Sequence, residues 1–307
     1  MSAGWVAGSV RARLLLERRL GATSADRLAR QPSLDGALSM LANTPYGSAA
    51  SSPAGLEEVQ RQVVACTALD LRVLAAWLPR GAAVGLRALA AWFELANMED
   101  RLAYLAGEEL RPPFELGVLS SVWEAAETTQ SPAELRALLR SSTWGDPGSD
   151  APQELELGLR FAWARRVAAQ VPEARAWVDG AVAILLAQEL LVTGRRVEPA
   201  LLVRLGLGSS WSEAGTLGEL RARLPSRVGW ALEGIDEPAD LWRAQLAWWR
   251  TVGAEAETMV RRRREGRPVV VAAVVLLGLD ALRVVTALAV AARGSSSTAR
   301  EVLDALG

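Results

Sequence analysis

The stretch SLDGALSMLANTPYG, residues 33–47, has the pattern of a short amphipathic helix closed by an aromatic residue and a glycine. The pattern returns in residues 133–145, which end on Trp-Gly, and in residues 218–230, which end on Gly-Trp. The copies follow one another at spacings of about 84 to 100 residues, and internal repetition of this kind predicts an array of similar structural units. Chance agreement within a Leu- and Ala-rich sequence is the alternative.

A long apolar segment follows each copy, and glycine, the residue type that most often follows a helix, ends each segment. These glycines are Gly107, Gly194 and Gly294. A proline lies five residues after the first two glycines, at Pro112 and Pro199, whereas Ala299 takes that place in the third copy. We therefore predict three helical units, and their predicted limits are residues 1–112, 113–205 and 206–307.

The composition excludes many kinds of active site. The chain has no histidine, and all 34 of its basic residues are arginine. Without histidine there is no Ser-His-Asp or Cys-His arrangement, and without lysine there is no Schiff base or phosphate-binding loop. The single Cys66 cannot form an intrachain disulfide. With 35 acidic residues the net charge is -1, which provides no global field for binding nucleic acid.

One segment, residues 268–292, is apolar enough to resemble a membrane span, and within it only Asp280 and Arg283 carry charge. Two charges near a bilayer centre roughly cancel what the Val and Leu residues gain there. We therefore predict a buried helix, or a helix pair broken at Gly278, in preference to a span. The β-branched run 269–275 has no evident partner strand, so we predict it to be helical as well. The N-terminal residues lack an apolar stretch long enough for a secretory signal, and we expect no export.

Acid–base chemistry in this chain would have to come from carboxylates. A hydrolase that uses Glu94, Glu99 or Asp100 is one hypothesis, because two carboxylates that share a pocket can act as acid and base. Neighbouring acidic residues on an amphipathic helix are more often its solvated face. No calcium-loop or dinucleotide-binding pattern is present, so we expect neither a metal nor a cofactor.

Two surface features have alternative interpretations. The tryptophans of WRAQLAWWR, residues 242–250, alternate with arginine, but Trp242 and Trp249 lie on one helical face, which favours burial in a core or interface over stacking on nucleic-acid bases. The run Arg261–Arg264 is the densest charge cluster. It is either a binding site for an acidic protein surface or lipid headgroups, or a solvated helix end.

Four segments resemble the C/d subunits of V/A-type rotary ATPases. Residues 4–13, GWVAGSVRAR, resemble the start of that family's first helix, and residues 41–47, LANTPYG, resemble its L-x-x-T-P-Y-G segment. Residues 93–98, FELANM, are similar to its aromatic-D-x-x-N-L helix, and residues 291–294, AARG, resemble its ending. The positions that carry this resemblance, and that we take as candidate structural or interface residues, are Trp5, Arg11, Arg13, Thr44, Pro45, Tyr46, Gly47, Glu94, Asn97, Arg293 and Gly294.

The resemblance implies an all-α fold with three helical subdomains arranged as a funnel around an approximate threefold axis. It further implies a socket without catalytic residues or a cofactor, which seats the central shaft on the membrane proteolipid ring at the cytoplasmic face. The expected partners are the shaft subunits and the ring, with no nucleic acid and no small-molecule substrate. The alternative is an unrelated helical scaffold or regulatory protein.

Overall fold

A computed structural model describes residues 3–51, 55–79, 81–195, 197, 203, 211, 213–293 and 301–303. These residues form helices and turns and include no β-strand, which confirms the predicted all-α class. The helices are α1 (Ala3–Glu17), α2 (Ala22–Ala29), α3 (Leu34–Leu41), α4 (Gly47–Ala50), α5 (Leu56–Ala76), α6 (Ala83–Leu105), α7 (Trp123–Ala126), α8 (Pro132–Arg140), α9 (Pro152–Gln170), α10 (Arg175–Ala187), α11 (Leu217–Arg223), α12 (Leu241–Arg262) and α13 (Arg267–Arg293).

Shorter elements connect these helices. Four that lie wholly within the described residues are single 3-10 turns, and a π-helical turn continues α10 through Gln188–Val192. The 3-10 turns are Gly117–Leu119, Pro172–Ala174, Gly229–Leu232 and Pro238–Asp240.

The chain divides into two compact units, and each is built from segments that are not consecutive in the sequence. The first unit comprises Met1–Leu86, Glu115–Val118 and Trp249–Gly307, and the second comprises Arg87–Phe114 and Leu119–Trp248. The limits of these units do not coincide with the predicted boundaries of the three helical units, which stay a prediction.

Helix α13 is the central helix of the first unit. It packs against α1, α2, α3 and α5. Its residues Ala281, Val284 and Leu288 lie at helical spacing and are at most 4% exposed in a core shared with α2, α3 and α5. The predicted burial of this segment is therefore confirmed, and of the two predicted forms the single buried helix is the one observed, because α13 is continuous through Gly278.

Length and hydropathy alone would allow α13 to cross a membrane, yet 67% of its most apolar stretch is buried inside the protein. The side chains of a core helix and of a membrane span are similar, and what distinguishes them is the neighbour. Here the neighbours are amphipathic helices of the same unit.

The second unit has its own core, in which one face of α6 packs against α8 and α9. Leu95, Met98 and Leu102 of α6 are at most 1% exposed there, as are Leu139 of α8 and Leu159 of α9. The three residues of α6 are large apolar side chains at helical spacing, which is the pattern expected of a helix that packs one face into a core.

A hydroxyl side chain caps the N-terminus of each of the three short helices that the repeated pattern predicts. Ser33, Ser131 and Thr216 are the N-cap residues of α3, α8 and α11, and each accepts a hydrogen bond from the main-chain N–H three residues later. In α8 and α11 the glutamate three residues after the N-cap also accepts a hydrogen bond from the main-chain N–H of the residue before the N-cap. The predicted helices within residues 33–47, 133–145 and 218–230 are thus confirmed.

The burial of α13 makes a prediction about unfolding. Leu288→Ala removes a side chain that is 0% exposed and leaves a cavity, so we expect a loss of about 2–5 kcal/mol in the free energy of unfolding. Leu69→Ala is the matched control in the same unit, since Leu69 is 54% exposed, and we expect a change within about 0.5 kcal/mol. Denaturant unfolding of the purified variants measures both, and equal losses would contradict the burial of α13.

Candidate functional site

The T-P-Y-G turn is held by its threonine. The Thr44 hydroxyl donates to the Leu41 carbonyl at 2.7 Å and accepts from the Tyr46 N–H at 3.2 Å. Pro45 lies half-buried between them. This arrangement turns the chain sharply after α3 and directs the Tyr46 side chain, 5% exposed, into the first unit.

Gly47 completes this turn because a side chain has no room there. A β-carbon on Gly47 would lie 2.4 Å from the carbonyl oxygen of Ala42, closer than any real contact. The requirement for glycine after the aromatic residue is therefore steric.

The second copy of the pattern makes the same turn. The Ser142 hydroxyl donates to the Leu139 carbonyl at 2.8 Å and accepts from the Trp144 N–H at 3.1 Å. Trp144 is 0% exposed, and Gly145 follows it with a φ of 75°. A hydroxyl two residues before the aromatic residue thus performs one function in both copies.

Both aromatic side chains reach a buried carboxylate. In the first unit the Tyr46 hydroxyl donates to Asp280 Oδ2 at 2.9 Å. The two oxygens of Asp280 also accept the main-chain N–H groups of Leu20 and Gly21, each at 2.8 Å, just before α2 begins. Asp280 is 1% exposed, so these three donors replace its hydration.

Burial changes the pKa values of Tyr46 and Arg283, two titratable groups near Asp280. Burial, followed by the charge of Asp280 and the hydrogen bond to it, raises the pKa of Tyr46 well above its usual value of 10. Burial also lowers the pKa of the Arg283 guanidinium, and the charge of Asp280 opposes that change. The tyrosine therefore remains a neutral donor throughout the normal pH range.

In the second unit the buried carboxylate that binds the aromatic side chain is Glu94, which is 1% exposed. Its carboxylate accepts six hydrogen bonds, three of which come from the main-chain N–H groups of residues 121–123 at the start of α7. The Trp144 indole N–H donates to Oε2 at 3.1 Å, as Tyr46 does to Asp280. The Arg166 guanidinium stacks 4.6 Å from the centre of the Trp144 ring.

Asn97 and Arg101 lie three and seven residues after Glu94 and share its face of α6. The Asn97 amide pairs with both main-chain groups of Phe114, accepting from its N–H at 2.7 Å and donating to its carbonyl at 2.9 Å. Arg101 Nε donates to the Thr129 carbonyl at 3.0 Å. One buried polar face of α6 thus fixes the irregular chain from Phe114 to Thr129.

Asp179 on α10 is a third carboxylate on a helix that precedes one of the short capped helices, and it is 9% exposed. It lies 37 residues before the N-cap Thr216, the same separation as between Glu94 and the N-cap Ser131. Asp179 Oδ2 accepts a hydrogen bond from Arg227 Nε at 3.0 Å, in the turn that leads to Gly229-Trp230. An arginine here occupies the role that an aromatic hydroxyl or indole has in the other two copies.

The residues of α1 that carry the resemblance lie against the ends of other helices in the first unit. Trp5 is half-buried, and its carbonyl oxygen accepts from the Ser9 hydroxyl at 2.7 Å. Ser9 in turn accepts from the Gly266 N–H at 2.8 Å, immediately before α13. Arg13 binds the carbonyl oxygens at the end of α12, which are those of Val260, Arg263 and Arg264.

The remaining candidate residues are Arg11, Arg293 and Gly294. Arg11 is half-buried, and its charge, with the stronger effect of Arg18, opposes the increase that burial causes in the pKa of Asp70. Arg293 is exposed in the last turn of α13. Gly294 lies outside the described residues.

The other carboxylates of the hydrolase hypothesis do not join Glu94 in a shared pocket. Glu99 Oε1 pairs with Arg160 Nε at 2.7 Å, and Asp100 pairs with Arg111 at 3.6 Å. Burial raises the pKa of Glu99, and the adjacent Arg160 opposes that increase. Within the described residues no group of three or more carboxylate or thiol side chains is placed to hold a metal ion.

Sequence reasoning did not identify Asp280 as a partner of Tyr46, nor Trp144 and Ser121 as partners of Glu94. The available signal was the presence of acidic residues within each long apolar segment, because a charge within such a segment has to be paired when the segment is buried. Ser9, which stands where the resembled family has an arginine, was also overlooked. No protein-family model matches the chain, and no curated protein matches it.

The two tyrosines of the chain allow the Asp280 network to be tested with a matched pair. Tyr46→Phe deprives a buried carboxylate of one donor, and we expect a loss of about 1.5–3 kcal/mol in the free energy of unfolding. Tyr104→Phe is the control, because Tyr104 is 42% exposed, and its effect should stay within about 0.5 kcal/mol.

The Tyr104→Phe variant also isolates Tyr46 for titration by phenolate absorbance. Since its pKa is higher in the folded than in the unfolded chain, the stability that Tyr46 contributes is complete below about pH 10 and is lost as the pH rises further. We expect phenolate to appear only together with unfolding, followed by circular dichroism. Phenolate formation in the folded variant near pH 10 would contradict the network.

Glu94 makes a corresponding prediction for the second unit. Glu94→Gln removes the charge that accepts N–H groups at the start of α7 and directs an amide N–H₂ toward other donors, so we expect a loss of about 2–4 kcal/mol. Glu109→Gln is the control, because Glu109 is exposed in the same unit. Denaturant unfolding measures both, and a neutral Glu94→Gln would show that the carboxylate does not stabilise the unit.

Proposed function

We propose that this chain is a non-catalytic rotor subunit of a V/A-type rotary ATPase or ATP synthase. In this role it seats the central shaft on the membrane proteolipid ring, at the cytoplasmic face, and transmits torque during coupled proton or sodium transport. The proposed architecture is a funnel of three helical subdomains around an approximate threefold axis. The partners are the shaft subunits and the ring, and the subunit has no active site of its own.

The observation that supports this proposal is a module that recurs in each third of the sequence. In each module a carboxylate on a long helix binds a side chain close to a short capped helix, and the three carboxylates are Glu94, Asp179 and Asp280. Glu94 of the first third binds the second third, Asp179 of the second binds the third, and Asp280 of the last third binds the first, so the order is cyclic. A cyclic order is what three similar subdomains around an axis require.

The chemistry of the modules also suits a mechanical part. The donors around Glu94 and Asp280 are main-chain N–H groups, buried aromatic side chains and, for Glu94, the hydroxyls of Ser120 and Ser121, all of which lie in helices and the connections between them. Charge-assisted hydrogen bonds of this kind are the strong ones, and in a dry interior they resist deformation. Torque transmission requires stiffness of this sort and no reactive group.

The proposal is tested by tagging the chain in the cells that produce it and purifying it in mild detergent. We expect the shaft subunits and the proteolipid ring to co-purify with it. We also expect that deletion of the chain leaves ATP hydrolysis by the catalytic head but abolishes ion pumping by membrane vesicles. The Tyr104→Phe chain serves as the folded control and should restore pumping.

The two outcomes that oppose the proposal are distinct. Purification without any rotary subunit would favour the unrelated scaffold or regulatory protein. Normal ion pumping in membranes without the chain would exclude it as the coupling between shaft and ring.

A further inference from the structure

Helix α1 presents an apolar stripe to the solvent. Val6, Val10 and Leu14 follow one another at intervals of four residues and are 43%, 53% and 47% exposed. The opposite face of the same helix is buried through Ala12 and Leu15. Because residues four apart lie above one another on a helix, the three exposed side chains form one continuous ridge. We call these three residues the α1 stripe.

A basic cluster lies beside the α1 stripe. Arg261–Arg264 are all exposed at the end of α12, and none of the ion pairs found among the described residues includes them. Their position relative to α1 is fixed by Arg13, which lies between Val10 and Leu14 in the helix. Arg13 donates to the carbonyl oxygens of Val260 and Arg264 at 3.0 and 3.2 Å.

We infer that the α1 stripe and Arg261–Arg264 together bind the surface of an anionic membrane. In this arrangement the aliphatic ridge enters the boundary between headgroups and acyl chains, and the guanidinium groups bind lipid phosphates. The net charge of the chain is -1, so the attraction is local to this cluster. The inference does not depend on the proposed rotor function.

Two features favour a lipid surface over an acidic protein as the occupant. The stripe is a single convex row of aliphatic side chains, and a fluid interface accepts such a ridge, whereas a protein partner has to provide a matching groove. The cluster consists only of arginine, whose planar group binds phosphate oxygens through two parallel hydrogen bonds. Helix α13, by contrast, is buried in the core and does not provide the contact.

The test is sedimentation of the purified full chain with vesicles that contain no proteolipid ring. One set of vesicles is phosphatidylcholine alone, and the other includes about one third phosphatidylglycerol. We expect the chain to bind the anionic vesicles at least about tenfold more tightly, and about 0.5 M salt to remove most of that preference.

Three variants separate the two contributions. The Val6→Ser, Val10→Ser, Leu14→Ser triple variant should weaken binding to anionic vesicles about tenfold or more. A variant with glutamine at all four positions 261–264 should bind both kinds of vesicle equally. The control carries Leu110→Ser and Arg250→Gln, two exposed positions that belong to neither the stripe nor the cluster, and should bind as the unmodified chain does. Circular dichroism verifies that each variant is folded.

Equal binding of the unmodified chain to both kinds of vesicle, or no binding, would overturn the inference. Binding to polyglutamate in place of vesicles, lost in the glutamine variant, would assign the surface to an acidic protein and overturn it as well. Because the vesicles contain no rotary subunit, either result would leave the proposed rotor function unaffected.

Discussion

Removing a carboxylate from water costs several kcal/mol unless hydrogen-bond donors replace the water, and Glu94 and Asp280 are each only 1% exposed. Each of these acids is therefore tied to the position of its donors. The donors are main-chain N–H groups at the start of a helix together with one aromatic side chain from a distant turn. The carboxylate thus fixes three parts of the chain at once: its own helix, the next helix start and the turn after a short helix.

Arginine has the complementary role, since it binds carbonyl groups where helices and turns end. Arg13 binds carbonyls at the end of α12, Arg101 binds the Thr129 carbonyl and Arg165 binds the Trp144 carbonyl. A guanidinium has five N–H donors in a fixed plane, so one side chain reaches two or three carbonyl groups, which an ammonium group does less well. Acids at helix starts and arginines at helix ends also match the helix dipole.

The sequence was sufficient to predict local features. The all-α class, the three short helices and the burial of α13 follow from periodicity, capping residues and the energetic cost of charge in an apolar segment. The partners of Asp280 could not be predicted, because Leu20 and Tyr46 lie more than 200 residues away in the chain. No spacing rule connects such positions. The sequence also left open whether the helix breaks at Gly278, and α13 is continuous there because tertiary packing outweighs the low helix propensity of a single glycine.

Helix α1 connects the surface of the first unit to its core. Its exposed face carries the α1 stripe, while buried Ser9 holds the start of α13 and half-buried Arg13, beside the stripe, holds the end of α12. Hydrogen bonds therefore connect α1 to the start of α13 and to the end of α12, and Asp280 connects α13 to the start of α2 and to the T-P-Y-G turn. This path joins buried or half-buried side chains to main-chain groups at helix ends. A connection of this kind is the property that the proposed rigid coupling needs.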